Sequence, residues 1–228
     1  MPVIVAANTK GGSGKSTSSL ILGTALARKG ATVRIIDADP QGTINSWSKG
    51  DSKYRDIVVT PTAGEDLTDL IDRLAAEHQF VIIDVQGSAN QELAAAMSRA
   101  DLVIIPMHGK TADAEVATNA IALLRKQEKL FQRRIDHGIL FMATAVWVKT
   151  REEKEIRKDI EARNIPCFQT DLNERTAFSH IIRFKLAVDE LTEKETNGLE
   201  AALENADSFA NEVIHILRKR KELSLIHI

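Results

Sequence analysis

The chain has 228 residues, enough for one domain with a substantial core. Apolar residues make up 43% and charged residues 27%, with 30 Lys plus Arg against 32 Asp plus Glu. That balance excludes the disordered, collagenous and membrane-spanning classes, and also a constitutive nucleic-acid coat, which is far more basic.

A single cysteine, Cys167, excludes an internal disulfide and a cysteine-held cluster within one chain, so a reducing, cytoplasmic compartment is expected. No apolar run approaches the length of a membrane span. The start lacks a basic segment followed by a long apolar core, so no secretory signal is expected.

Short Val- and Ile-rich runs alternate with amphipathic stretches along the chain. The first run, Val3 to Ala6, is followed by the glycine-rich segment Asn8-Thr9-Lys10-Gly11-Gly12-Ser13-Gly14-Lys15-Ser16-Thr17 and then by a helix expected over Ser16 to Arg28. Strand, glycine loop, Gly-Lys-Ser and helix, in that order, are the parts of a phosphate-binding P-loop. Glycines let the backbone wrap phosphates closely, and the helix start presents N–H donors. In such a loop Gly11, Gly12, Ser13 and Gly14 form the cradle. Lys15 would meet the β- and γ-phosphates, the Ser16 hydroxyl would bind Mg²⁺, and Thr17 would complete the site.

A second strand around Val33 to Ile36 ends in Asp37-Ala38-Asp39-Pro40-Gln41-Gly42. Carboxylates at a strand's C-terminal end stand where α/β sheets bind ligands, and one there can order metal-bound water or place an attacking water. Capping of the next helix is the alternative use for either Asp37 or Asp39. A short run, Ile57 to Val59, and a helix over Leu67 to Glu77 lead to Phe80-Val81-Ile82-Ile83-Asp84. There a buried strand would deliver one carboxylate, Asp84, to a Mg²⁺ shell, although a helix cap would use the same residue type.

Strands around Leu102 to Ile105 and Ile139 to Met142 follow, with helices over Ala114 to Lys129 and Glu152 to Arg163. The last third is helix-rich, and Asn205 to Arg220 sets Ala206, Phe209, Val213 and Leu217 on one face. Near-continuous apolar strands alternating with helices imply an α/β fold, three-layer, with a mostly parallel twisted sheet and helices on both faces. No repeat or linker marks a boundary, so residues 1–228 are expected to form a single P-loop domain.

The run Lys10-Gly11-Gly12-Ser13-Gly14-Lys15-Ser16, with Thr9 where the usual P-loop has glycine, resembles the deviant Walker A motif of the ParA/MinD family of P-loop ATPases. Asp37-x-Asp39-Pro40-Gln41 and Asp84-x-x-Gly87 are similar to that family's next two motifs. Val85 and Gln86 stand where the family often has Thr and Pro. The resemblance extends to Ala100 to Pro106, and to Ile165-Pro166 through Asn173-Glu174-Arg175-Thr176-Ala177-Phe178, most like small ParA-type proteins.

Several roles follow from the resemblance. Lys10 would reach across a nucleotide-sandwich dimer to the partner's phosphates, Asp39 would position the hydrolytic water, and Asp37 would support the metal shell around Ser16 and Asp84. The protein would bind MgATP, form an ATP-dependent homodimer and bind DNA non-specifically while nucleoid-associated. A ParB-type centromere-binding protein or other partner would stimulate slow hydrolysis, driving plasmid or chromosome partition. The loop begins at residue 8, so an N-terminal helix-turn-helix for operator binding is not expected.

Rival readings within the same fold are a MinD-like or cargo-positioning ATPase acting on a membrane or protein, a conjugative DNA-transfer ATPase, and an ATP-dependent ligase. Lys10 argues against the last.

Basic residues cluster at Arg125, Lys126, Lys129, Arg133 and Arg134, and again at Arg218 to Lys221. They read either as solvated helix ends or as a phosphate-contacting DNA surface. The tail Leu223 to Ile228 after the second cluster also permits a basic membrane anchor, which is disfavoured because the helix's apolar face is needed for the core. Trp47 and Trp147 read as packing residues.

Overall fold

The computed structural model describes residues 1–86, 91–144, 148–173 and 175–226. In chain order, β1 (Val3–Ala6) leads through the glycine loop to α1 (Lys15–Arg28), then β2 (Val33–Ala38), α2 (Thr43–Ser48) and β3 (Val58–Val59). Next come α3 (Leu67–Glu77), β4 (Phe80–Val85), α4 (Gln91–Arg99), β5 (Leu102–Met107), α5 (Thr111–Phe131) and β6 (Asp136–Thr144). The chain then adds α6 (Arg151–Ala162), β7 (Leu172–Asn173), α7 (Thr176–Phe184) and the long α8 (Leu199–Ile226). The helix expected from Asn205 is therefore longer at both ends. Helices α2, α4 and α7 and the two-residue β7 were not expected; β7 is too short to show any alternation.

The strands form a sheet in the order β3-β2-β4-β1-β5-β6-β7, parallel at every pairing. Alternation along the strands sends successive side chains to opposite faces. Ile4 and Ile82 face α1, α7 and α8, where Leu22, Phe178 and Phe209 pack. Val3, Val5, Val81 and Ile83 face α3 to α6, where Leu70, Leu93, Ile121 and Ile156 pack. These two apolar layers are the three-layer architecture expected from the sequence.

Strand order reverses around β1, which lies between β4 and β5. A crevice opens beyond the carboxyl ends of the strands at such a reversal, and backbone departing from β1 enters it. Register places Asp84 beside Ala6 on one side and beside Asp37 on the other, so the motif residues converge on that crevice.

Trp47 is buried and donates its Nε1–H to the Leu186 carbonyl at 3.3 Å, a packing role as expected. Trp147 lies outside the described residues. Phe209 seals α8 onto the sheet edge, fully buried and edge-on to Phe168 with ring centroids 5.7 Å apart. Phe209→Ala removes that ring from a close-packed layer and should cost about 3–5 kcal/mol in chemical denaturation. A loss no larger than that of an exposed control such as Glu204→Ala would show that α8 is not integral to the core.

Candidate nucleotide site

The glycine loop is fastened to β5 at its base. Ala7 donates its backbone N–H to the Ile104 carbonyl at 2.9 Å. The buried Asn8 amide crosses to the Pro106 carbonyl at 2.6 Å, while its Oδ1 accepts the Lys10 N–H at 3.0 Å. At the far end of the loop Gly14 has φ +98°, and a Cβ there would lie 2.7 Å from Met142 Cε. The positive φ favours glycine, and any larger residue would also have to displace the Met142 side chain.

At Gly11 and Gly12 a Cβ would meet nothing within 4 Å, so the loop's crown faces open space. Helix α1 begins without a side-chain cap and without an acidic residue in its first turn. Its positive end is thereby left for an anion.

Lys15 is buried at the start of α1, with Nζ 3.3 Å from the Lys10 carbonyl. Burial lowers its pKa, opposed by the charges of Asp84 and Asp39. The Ser16 hydroxyl donates to Asp84 Oδ2 at 2.5 Å, and the other carboxylate oxygen, Oδ1, is buried with no hydrogen-bond partner. Burial pushes the Asp84 carboxyl up to about 7, with the Ser16 hydrogen bond opposing and the Asp37 charge adding to the rise. An orphaned carboxylate oxygen against a serine hydroxyl, beside an uncapped helix start and an open glycine crown, fits a hard divalent cation carrying phosphates.

The two carboxylates of the Asp-x-Asp segment are used differently. Asp37 is buried; its Oδ2 accepts the Asn45 N–H at 2.6 Å and its Oδ1 the Asp39 N–H at 3.3 Å, which ties it to the first turn of α2. Asp39 is half-buried, accepts the Gln41 N–H at 2.9 Å and lines the cavity. Burial raises the Asp37 pKa, and its backbone hydrogen bonds oppose that rise. Ser13 is buried and its hydroxyl has no partner.

Lys10 does not line the cavity. Its Nζ is 2.6 Å from Asp113 Oδ1 in the first turn of α5; the lysine side chain is 47% exposed and the aspartate 3%. Sequence reading missed Asp113, and it missed His108, whose Nε2 lies 3.2 Å from the Gly12 carbonyl. Both lie about a hundred residues from the loop, and only the pairing of β1 with β5 brings them to it.

The cavity has a volume of about 880 Å³. Its lining includes Lys15, Ser16, Thr17, Asp39 and Gln86, and also Met142, Leu172, Asn173, Arg175, Phe178 and Ile182. The late segment singled out in the sequence therefore closes the site. Gly87 and Glu174 lie outside the described residues. A cavity of about 940 Å³ between Met1, Leu26, Ile214 and Leu217 contains none of the motif residues. Among the described residues no group of three or more His, Cys, Asp and Glu side chains could hold a metal.

A family profile described as the CobQ/CobB/MinD/ParA nucleotide binding domain matches residues 4–226. The chain belongs to this family. It is 32% identical to "Protein ParA" of Rhizobium radiobacter over 211 residues, covering 92% of this chain and 95% of that protein. It is 25% identical to "Maintenance of carboxysome distribution protein A" of Halothiobacillus neapolitanus over 215 residues, again covering 92% and 95%. Its fold matches the ATP complex of a Cyanothece McdA variant with a TM-score of 0.71 at 16% identity, covering 93% of this chain and 96% of that one.

Asp84 gives this family member a testable pH signature. Its pKa is 3.8 ordinarily and about 7 in the fold, so between those values the folded state holds a proton that the unfolded state has released. Stability of the ligand-free protein should therefore fall as pH rises through that window. Asp84→Asn should flatten the decline in denaturation midpoints measured across it. A decline that persists unchanged in the variant would assign it to another group.

Proposed function

We propose that this chain is a ParA-type ATPase that binds MgATP, pairs as a nucleotide-sandwich homodimer and binds DNA non-specifically in that state. A ParB-type or other partner would stimulate hydrolysis and drive plasmid or chromosome partition in the cytoplasm. The observation that carries this reading is the division between two lysines of one loop. Lys15 is buried inside the cavity, whereas Lys10 stands outside it, half exposed on Asp113. Within one chain the second cation pairs with the buried Asp113, and a loop serving a second copy needs a cation on the surface, where Lys10 stands. The 32% identical ParA relative supports the same assignment.

In this mechanism the backbone of Gly11 to Gly14 and the start of α1 cradle the phosphates. Lys15 compensates their charge from within, and Thr17 completes the phosphate end. Magnesium, when bound, supplies further charge compensation to the phosphates, and Ser16 and Asp84 would hold it. Asp37, tied to α2, would fix the strand end behind that pair, and Asp39, free on one oxygen to face the cavity, would orient the attacking water. Lys10 would leave Asp113 and stabilise developing charge on the partner's nucleotide.

The basic clusters supply a candidate DNA surface, although not with all of their members. Arg133 donates to the Ser98 and Ala100 carbonyls at 3.0 and 2.7 Å. Arg220 donates to the Asp101 carbonyl, with its guanidinium 3.5 Å from the Asp101 carboxylate. These two arginines brace the turn into β5, so Arg218 to Lys221 are not four equivalent cations. Arg125, Lys126, Lys129, Arg134, Arg218, Lys219 and Lys221 are exposed, and phosphate contacts from them would be salt-dependent.

A second reading, an ATPase that positions a protein cargo, is favoured by the carboxysome-distribution relative. For a membrane-acting version, no helix among the described residues is long and apolar enough to cross a bilayer, and the side chains from Leu223 onward lie outside those described.

Binding to a random-sequence duplex should require MgATP, fall steeply with salt and vanish in Lys10→Ala. Lys15→Ala should lose nucleotide binding, whereas Asp39→Ala should retain ATP and remain dimeric on it, as read by calorimetry and sedimentation. ATP hydrolysis without DNA binding in any nucleotide state would discard the DNA role in favour of a protein or membrane cargo. Equal loss of nucleotide binding in both variants would discard the division of roles.

A further inference from the structure

We propose that Asp113 is a positioning residue that restrains Lys10 on its own chain, and so sets how readily two copies pair over nucleotide. The inference rests on the nucleotide-sandwich reading above, in which Lys10 has to reach the other copy.

The two members of the pair differ in freedom. Asp113 lies in the first turn of α5, 3% exposed, and the stretch that leads to it is fixed from two sides. On one side it is fastened to the glycine loop: the Asn8 amide donates to the Pro106 carbonyl at 2.6 Å, and His108 Nε2 lies 3.2 Å from the Gly12 carbonyl. On the other, Glu152 at the start of α6 accepts both the N–H and the hydroxyl of Thr111 at 2.8 Å. The next residue, Glu153, covers Gly109 so closely that a Cβ there would lie 2.6 Å from its Cγ, and Glu153 is itself held by Arg157 at 2.8 Å. Lys10 has no such support beyond its backbone. Its side chain is 47% exposed on a flexible stem.

When the pair breaks, it is therefore the lysine that moves and the aspartate that stays. Among the described residues Asp113 forms an ion pair with no other cation, so it is left as a buried carboxylate answered by the positive end of α5 alone. A contact between two exposed side chains would hold Lys10 weakly; burial of one member is what gives this one its grip. Each dimer releases two such pairs, one per copy, so the restraint enters twice into pairing. Asp113 does not line the cavity, so it opposes pairing without opposing nucleotide binding by a single chain. Removing its charge should strengthen dimerisation, the opposite of what loss of a merely structural contact does.

The experiment measures the dimer dissociation constant by sedimentation, with magnesium and a non-hydrolysable ATP analogue, for wild type, Asp113→Asn, Lys10→Ala and the double variant. Asp113→Asn keeps the shape and removes the charge. Its dimer dissociation constant should fall about tenfold or more, while affinity for MgADP stays within about twofold. Asp113→Ser, too short to reach Lys10, should do the same, and it carries the test if the asparagine variant fails to fold. The double variant should dimerise no better than Lys10→Ala, because the gain acts through the lysine. Unchanged or weaker dimerisation in the Asp113 variants would overturn the restraint, and so would a gain of the double variant over Lys10→Ala. If wild type and both Asp113 variants bind the analogue yet stay monomeric at every concentration, the nucleotide-sandwich reading falls, and the restraint with it.

Discussion

The constraint on which the rest of the structure depends is the burial of Asp84. A carboxylate with no exposure, at the end of a central strand, is costly unless something answers its charge. Here one oxygen has only the Ser16 hydroxyl and the other has nothing. The protein tolerates this because the strands on either side are paired through that level: Ala6 and Asp37 sit in register with Asp84, and the apolar layers beneath close both faces of β4. A core good enough to hold a carboxylate with one unpaired oxygen in place, with the charge of Lys15 acting on it, presents a site already shaped for a cation. The raised proton affinity of Asp84 is the signature of that arrangement in the ligand-free protein.

How much of this could be read from the sequence depends on the range of each interaction. Val- and Ile-rich runs ending in Asp37 and Asp84 announce buried strands with a carboxylate at the tip, because burial on both faces removes alternation and strand ends meet the crevice. The glycine loop is equally local, since its conformation and the helix start that follows are encoded within ten residues. Asp113 and His108 carry no such mark. Their contacts with the loop span roughly a hundred residues, and nothing in the local pattern of α5 separates a loop-binding aspartate from a first-turn acid favoured by the helix dipole. Strand β7 escaped for another reason. Two residues have no period, and Asn173 is bonded by Asn205 while Glu212 holds the approach at Gln169 and Thr170, both from a helix whose polar side reads only as solvent-facing.

Charge runs show the same limit. Arg218 to Lys221 looks uniform in sequence, yet on a helix consecutive residues point about 100° apart, so one member in four can turn inward. Arg220 does so because Asp101, already bound to β1 through the Val3 N–H at 2.9 Å, offers it an anchor, and Arg133 approaches the same carboxylate from the other cluster at 3.8 Å. A single acid at the start of β5 thus gathers arginines from both clusters and joins them at the amino ends of the strands.

On helix α8, Asn205 and Glu212 hold the segment 169–173, whose Leu172 and Asn173 line the cavity, and Arg218 and Lys219, within two turns of Glu212, carry exposed charge. Between these points the helix is anchored by Phe209 and Val213 in the core. In the proposed dimer, occupancy of the cavity and presentation of the basic face would share this one packed element.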